Sequence, residues 1–260
     1  MKKIPAKLIC FFIKNKNKRN FIYNLLINKT KLANYMPPPH TKNIGYTIQG
    51  KNNKIILIEN GIERLLSIEE KIKGLEISIK GNNNLIRLKL PINAENSKIE
   101  IGNDNVSIEI GNTSRFFNVF IRCCFGCNQT LKIGQNTTIS GANIILDAES
   151  KCIIGEDCKI SNSIRIWASD GHAILDAHTL ECINETTEPI VIGNHVWIGE
   201  AVRITKNARV GNNCILGGGS VICKNYAEDN VIIAGNPGKI IKRGITWDRR
   251  NPYDLKRIKK

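Results

Sequence analysis

Between Ile192 and Ile222 a branched aliphatic residue returns at every sixth position: Ile192, Ile198, Ile204, Val210, Leu216 and Ile222. Two places before each of the last five stands a smaller or β-branched residue, Val196, Val202, Ala208, Cys214 and Ser220. Glycines follow several of these anchors, as Gly193, Gly199, Gly211 and Gly217. A step of six fits neither a helix of period 3.6 nor a simple alternating strand. Because six is even, each anchor returns to the same side of its strand. The pattern therefore predicts a short strand, a tight corner, and the same again. Three such units close a triangular coil of about 18 residues, and successive coils pair in parallel about 4.8 Å apart. The aliphatic anchors then form ladders inside, and Gly, Asn and Asp supply the corners. Shorter runs keep the step at Ile133, Ile139, Ile145 and at Ile154, Ile160, Ile166.

Looser versions of the phrase begin near Ile48-Gln49-Gly50 and recur at Ile79-Lys80-Gly81, Ile99-Glu100-Ile101-Gly102 and Ile108-Glu109-Ile110-Gly111. Their uneven spacing predicts corner insertions over 62–73 and 116–129. The reading is a mostly β chain: a parallel β-helix over 44–224, preceded by a basic helical segment and Pro-rich linker (1–43) and followed by a C-terminal cap and basic tail (225–260).

Between Ile166 and Ile192 the period lapses, which predicts that one corner extrudes a loop over 167–189. Repeats of this kind carry function where an insertion leaves the stack. The segment holds His172 and His178, and His195 follows it. An imidazole is the side chain best suited to accept a proton near neutral pH. Asp170 and Glu188 are both candidates to orient it, as a carboxylate does in other triads. His178 is read as a surface histidine without a duty.

Here the residues match a known pattern. Ser169-Asp170-Gly171-His172-Ala173-Ile174, the run Glu188-Pro189-Ile190-Val191-Ile192-Gly193-Asn194-His195-Val196-Trp197-Ile198-Gly199, and Ala234-Gly235-Asn236-Pro237 occur in order. The tail Ile245-Thr246-Trp247-Asp248-Arg249 continues the likeness. The chain resembles the hexapeptide-repeat acyltransferases, and among them the capsule and lipopolysaccharide O-acetyltransferases. The resemblance implies left-handed winding, homotrimers with sites between subunits, and acetyl-CoA as co-substrate. It implies that His172 takes the proton of a sugar hydroxyl that attacks the thioester, with backbone N–H groups receiving the oxyanion. It also implies that Asn184 contacts the acceptor, and that Trp197, outward by strand alternation, lies near the site with its neighbour His195. Acetyl-CoA is expected along the last coils, beside Gly199, Gly217, Gly218, Gly219 and Ser220. Lys224, Lys239, Lys242 and Arg243 are candidates for its phosphates.

Charge adds one question. The net charge is +15, and no acidic residue precedes Glu59. Nucleic acid is disfavoured as a partner, because no aromatics are interleaved with the basic residues and no reading motif is present. A phosphate-bearing ligand or an anionic membrane surface fits better, and the basic N-terminal segment either touches the inner membrane face peripherally or packs as a helix on its own protein; a cytoplasmic location is expected, and the carbohydrate acceptor is what the resemblance implies. The nine cysteines are odd in number and irregularly spaced, unlike a disulfide framework. Three other readings share the scaffold: N-acetylation of a nucleotide-linked amino sugar, a non-catalytic solenoid, and a zinc enzyme of the γ-carbonic-anhydrase kind using His172, His178 and His195. The loop insertion spoils regular ligand spacing for the last, and no metal is expected.

Overall fold

The computed structural model describes residues 45–258 apart from residue 68. The chain divides into units 1–42 and 43–260, so the expected N-terminal helix, linker and membrane contact lie outside the described residues. In the second unit the strands form three sheets of eight, nine and eight strands, and successive strands pass from sheet to sheet in turn. Nearly every pairing is parallel, and within the stack strands bond to those three before and three after them; only two antiparallel strands, Ile62–Leu65 and Lys239–Arg243, pair with the strand just before them among the described residues. The result is a three-sided parallel β-helix. The first face includes Ile164–Trp167 and Arg203–Thr205, the second Ile190–Ile192 and Arg209–Val210, the third Trp197–Ile198 and Ile215–Leu216.

The period decides what the prism encloses. On the first face Ile77, Ile99, Ile121, Ile144, Ile166, Ile204 and Ile222 stand in register, one isoleucine above another and all buried. On the third, Phe116, Ile139, Ile160, Ile198, Leu216 and Ile233 do the same. Cys123, Cys152, Cys158 and Cys214 are buried among them as small apolar residues, whereas Cys182 is exposed on the extruded loop.

The corners repeat as strictly as the faces. Between the second and third faces Asn136, Asp157, His195, Asn213 and Asn230 all have positive φ, from +53 to +60°. Asn and Asp tolerate this left-handed conformation best after glycine. Just before them Gly134, Gly155, Gly193 and Gly211 form a column, and a Cβ on Gly193 would come within 2.7 Å of the Gly211 backbone. No larger residue fits where one coil lies so close on the next.

Three expectations need correction. Ile145 faces outward, and Ile144 and Leu146 are the buried residues. The corner after Ile139 is one residue shorter than the corresponding one after Ile160, which shifts the parity. Residues 116–129 are no insertion: they hold the ends of Thr113–Phe117 and all of Val119–Phe125, a long first-face strand with a register shift between Cys123 and Phe125. The stack also continues beyond Lys224, through Asn225–Tyr226 and Val231–Ala234. Tyr226 pairs with Val210 only 16 positions back, and that contraction hides the last coil from a sixfold count. Strand Lys239–Arg243 turns back antiparallel against Val231–Ala234 and closes the end. The expected excursion after Ile62 is present as a hairpin, Ile62–Leu65 pairing antiparallel with Lys54–Glu59.

Side-chain parity makes a direct test. Ile198→Ala, which empties a fully buried ladder site, should lower unfolding free energy by about 2–5 kcal/mol. Ile153→Ala, on an outward position 38% exposed, should change it by no more than about 0.5 kcal/mol. Denaturant titration of both variants reads the difference.

Candidate active site

The break in the period is a flap at the corner between the first and second faces. It leaves the prism after Trp167 and returns at Ile190. Inside it the chain folds back on itself. Leu175 and Cys182 form an antiparallel bridge, Ile183 N–H donates to Ile174 O at 2.9 Å, and Asp176 Oδ1 accepts the N–H groups of His178 and Thr179. His178 thus belongs to the turn at the tip.

The flap is fastened to the coils on both sides. On the coil before it, Asp147 Oδ2 accepts the Ser169 hydroxyl at 2.7 Å, and Ser169 Oγ accepts Gly171 N–H. On the coil after it, Lys206 Nζ lies 2.7 Å from Asp170 Oδ2, and Asn207 Oδ1 accepts Glu188 N–H at 3.0 Å. Asn184 ties the outgoing limb to the returning one: its Nδ2 donates to Asp170 Oδ2 at 2.8 Å and to His172 O at 2.9 Å, and its Oδ1 accepts Ile174 N–H at 2.7 Å. Hydrogen bonds from Lys206 and then Asn184 hold the Asp170 carboxyl below its ordinary pKa.

The His172 side chain is exposed, and among the described residues its ring has no hydrogen-bond partner. Asp170 is therefore brought to Lys206 and Asn184, not to the imidazole. Glu188 faces Arg209 at 4.0 Å. The flap also exposes Ile174, Leu175, Leu180 and Ile183, each at least half accessible. So much apolar surface on one small loop marks a contact face.

His195 and Trp197 lie elsewhere. Trp197 stands outward on the third face between Lys159 and Ile215, on the side of the triangle opposite the flap's corner. His195 occupies the left-handed corner slot, and its ring is fully engaged. Nδ1 lies 2.7 Å from Asp157 Oδ2, and Nε2 lies 3.0 Å from the Trp247 carbonyl oxygen. A carbonyl only accepts, so Nε2 carries a hydrogen. Trp247 Nε1–H returns a bond to His195 O at 2.7 Å, and the two rings stack at 4.2 Å. Trp247 also meets Trp197 at 6.2 Å. Arg249 completes the clasp, donating from Nε and Nη2 to Asp157 Oδ1 and from its other hydrogens to Asn136 O, Thr138 Oγ1 and Cys158 O. Arg249 stood in the sequence only as the last residue of the matching tail, with no duty assigned, and Lys206 carried no signal. The slot of His195 was visible: it stands three places after its anchor, where Asn136, Asp157 and Asn213 stand after theirs.

Gly199, Gly217, Gly218 and Ser220 come together at the corner between the third and first faces. Gly199 N–H bonds Leu216 O, and Ser220 Oγ donates to Gly217 O. Lys224 is at the flap's corner instead, Lys239 begins the antiparallel end strand, and Arg243 is paired with Glu228 at 2.8 Å. These expected phosphate contacts are spread over separate edges.

The model of the bacterial transferase hexapeptide (six repeats) family matches residues 189–224. A polysialic acid O-acetyltransferase of Neisseria meningitidis is 30% identical over 205 residues, 79% of this chain and 90% of that protein. The chain belongs to the hexapeptide-repeat acyltransferases. Within that family it is similar to the capsule O-acetyltransferases. A polysialic acid O-acetyltransferase of Escherichia coli O1:K1 / APEC is 34% identical over 123 residues, 47% of this chain, and the match spans 39% of that protein's length. The crystal structure of the polySia-specific acetyltransferase NeuO superposes with a TM-score of 0.61 at 26% identity, covering 80% of this chain and 90% of that one. Family membership accounts for the prism. The clasp of the C-terminal tail is read from this chain's own contacts.

The clasp should be sensitive to acid. Burial raises the Asp157 pKa, but hydrogen bonds and charge from His195 and Arg249 outweigh it and hold the carboxyl below its ordinary value of 3.8. A group lowered in the folded state stabilises fully above its unfolded pKa and loses that contribution as pH falls through the folded value. Acidification through that range should therefore release the tail, and Asp157→Asn should remove this pH step. Fluorescence measured as the difference between the protein and its Trp247→Phe variant follows the release.

Proposed function

We propose that this protein transfers an acetyl group from acetyl-CoA to a sugar hydroxyl of a bacterial surface polysaccharide or its precursor, on a left-handed prism, with His172 as general base. The observation that carries the reading is the flap itself. It presents an unpartnered imidazole on a fastened backbone, on a scaffold whose relatives carry acetyltransferase names. His172 Nε2 or Nδ1 would accept the hydroxyl proton as the oxygen attacks the thioester carbonyl. The thiolate of CoA leaves, and the imidazolium returns the proton to it. Among the described residues nothing hydrogen-bonds the ring, so on this reading its second partner comes from substrate or from another subunit.

The placement of Trp197 argues for assembly. It stands on the face opposite the corner that carries His172, so one copy does not bring them together. A site using both takes the flap of one subunit and the third face of the next, as in a homotrimer. The exposed apolar residues of the flap would be covered by that contact. Gly199, Gly217 and Gly218 form a corner where side chains do not obstruct approach of an extended coenzyme. The polysaccharide acceptor is favoured over a nucleotide-linked amino sugar because the chain's similarity over most of its length is to polysialic acid O-acetyltransferases.

Release of free thiol from acetyl-CoA, in the presence of bacterial polysaccharide acceptors, tests the reading. His172→Ala should lower kcat by about 10²–10⁴-fold, the range for loss of a general base, and leave the melting temperature unchanged. Wild-type turnover in that variant would overturn the assignment.

A further inference from the structure

We propose that Lys206 is a positioning residue for this reaction: from the coil after the flap, its ammonium group locks Asp170 and Asn184 together and so fixes the backbone that carries His172. The inference rests on the reading of His172 as the base.

The geometry is a three-way junction. Lys206 Nζ lies 2.7 Å from Asp170 Oδ2 and also donates to the carbonyl of Asn184. Asn184 in turn holds Asp170, the carbonyl of His172 and the amide of Ile174. The outgoing limb, the returning limb and the prism therefore meet at one ammonium group. The Lys206 side chain is 17% exposed and that of Asp170 38%, so solvent screens part of the charge attraction, and the junction rests on the ammonium's bonds to both limbs of the flap. A long aliphatic stem packed down with its charge spent on two oxygens is a strut.

The junction holds what the imidazole lacks. The ring of His172 has no partner of its own among the described residues, so its position depends on the backbone beneath it. A general base acts only within hydrogen-bond reach of the proton it takes, and a misplacement of about 1 Å costs on the order of 10²-fold. Asn184 grips the carbonyl of residue 172 and the amide of residue 174, on either side of Ala173, and Lys206 anchors that grip to the rigid stack. Lys206 acts through the flap's backbone: two of its three ammonium hydrogens go to Asp170 and Asn184.

Hydrogen exchange on the full chain tests the lock without reference to activity. Lys206→Met should accelerate exchange about tenfold or more at the amides of Asp176, Leu180 and Ile183, whose bonds close the flap, and leave the amides of Val191 and Trp197 in the coils unchanged. Asp170→Asn, which weakens the junction from the other side, should do the same. In the thiol-release assay Lys206→Met should lower kcat about tenfold with KM for acetyl-CoA within about twofold, and the double variant should be no slower than the slower single, as expected for residues acting as one unit. Unchanged flap exchange in both single variants, or multiplicative losses in the double variant, would overturn the proposal. Absence of acetyl transfer in the wild-type protein would instead sink the assigned reaction, and the exchange measurement would still decide whether Lys206 holds the flap.

Discussion

The structure depends on how closely one coil can lie on the next. Parallel backbone hydrogen bonds set successive coils about one strand spacing apart on all three faces, and that spacing leaves the corners almost no volume. Gly193 under Gly211 shows the limit, since even a methyl group would collide with backbone. Left-handed Asn and Asp residues follow from the same demand, because the chain must turn sharply within two or three positions. Inside, the fixed rise puts isoleucine on isoleucine, so the core is a set of one-dimensional ladders more than a jigsaw of unlike pieces.

A scaffold this regular leaves its chemistry to the exceptions. The corner after Trp167 gives up its tight turn and extends the flap, whose outgoing limb is tied to both neighbouring coils, Ser169 to Asp147 before it and Asp170 to Lys206 after it, and whose returning limb is tied by Glu188 to Asn207. His195 takes a corner slot that an asparagine could fill and uses its ring to seat the tail through Trp247. The two exceptions lie on different sides of the triangle. One serves the flap that bears the candidate base; the other shapes the surroundings of Trp197 on the opposite face.

Much of this was legible in the sequence because the period is a property of single positions. The anchors from Ile192 to Ile222 are all buried as their spacing demands, and the lapse after Ile166 marks the flap. Where the count failed, the cause was a change in corner length. One residue fewer after Ile139 turned Ile145 outward, and the contraction before Tyr226 concealed the final coil. The individual duties of the polar residues were far less visible. Asp170 stood out as a partner for the base and Asn184 and His195 as residues near the substrate, yet each is engaged with another part of its own chain. Lys206 lies in no motif, and the tail that includes Arg249 says nothing of what it binds. Their importance comes from which coil lies next to which, and separations of 36 positions from Asp170 to Lys206 and 92 from Asp157 to Arg249 do not announce themselves in a linear text.

Each coil bonds only to the coil on either side, so the flap is an outgrowth that the ladders beneath it barely register. Its length and its tip can change without disturbing the ladders, as long as the tethers to the neighbouring coils survive. A lineage built on such a prism has a stable trunk and a graftable branch. New acceptors become accessible by exchanging some twenty residues at one corner, with no renegotiation of the core.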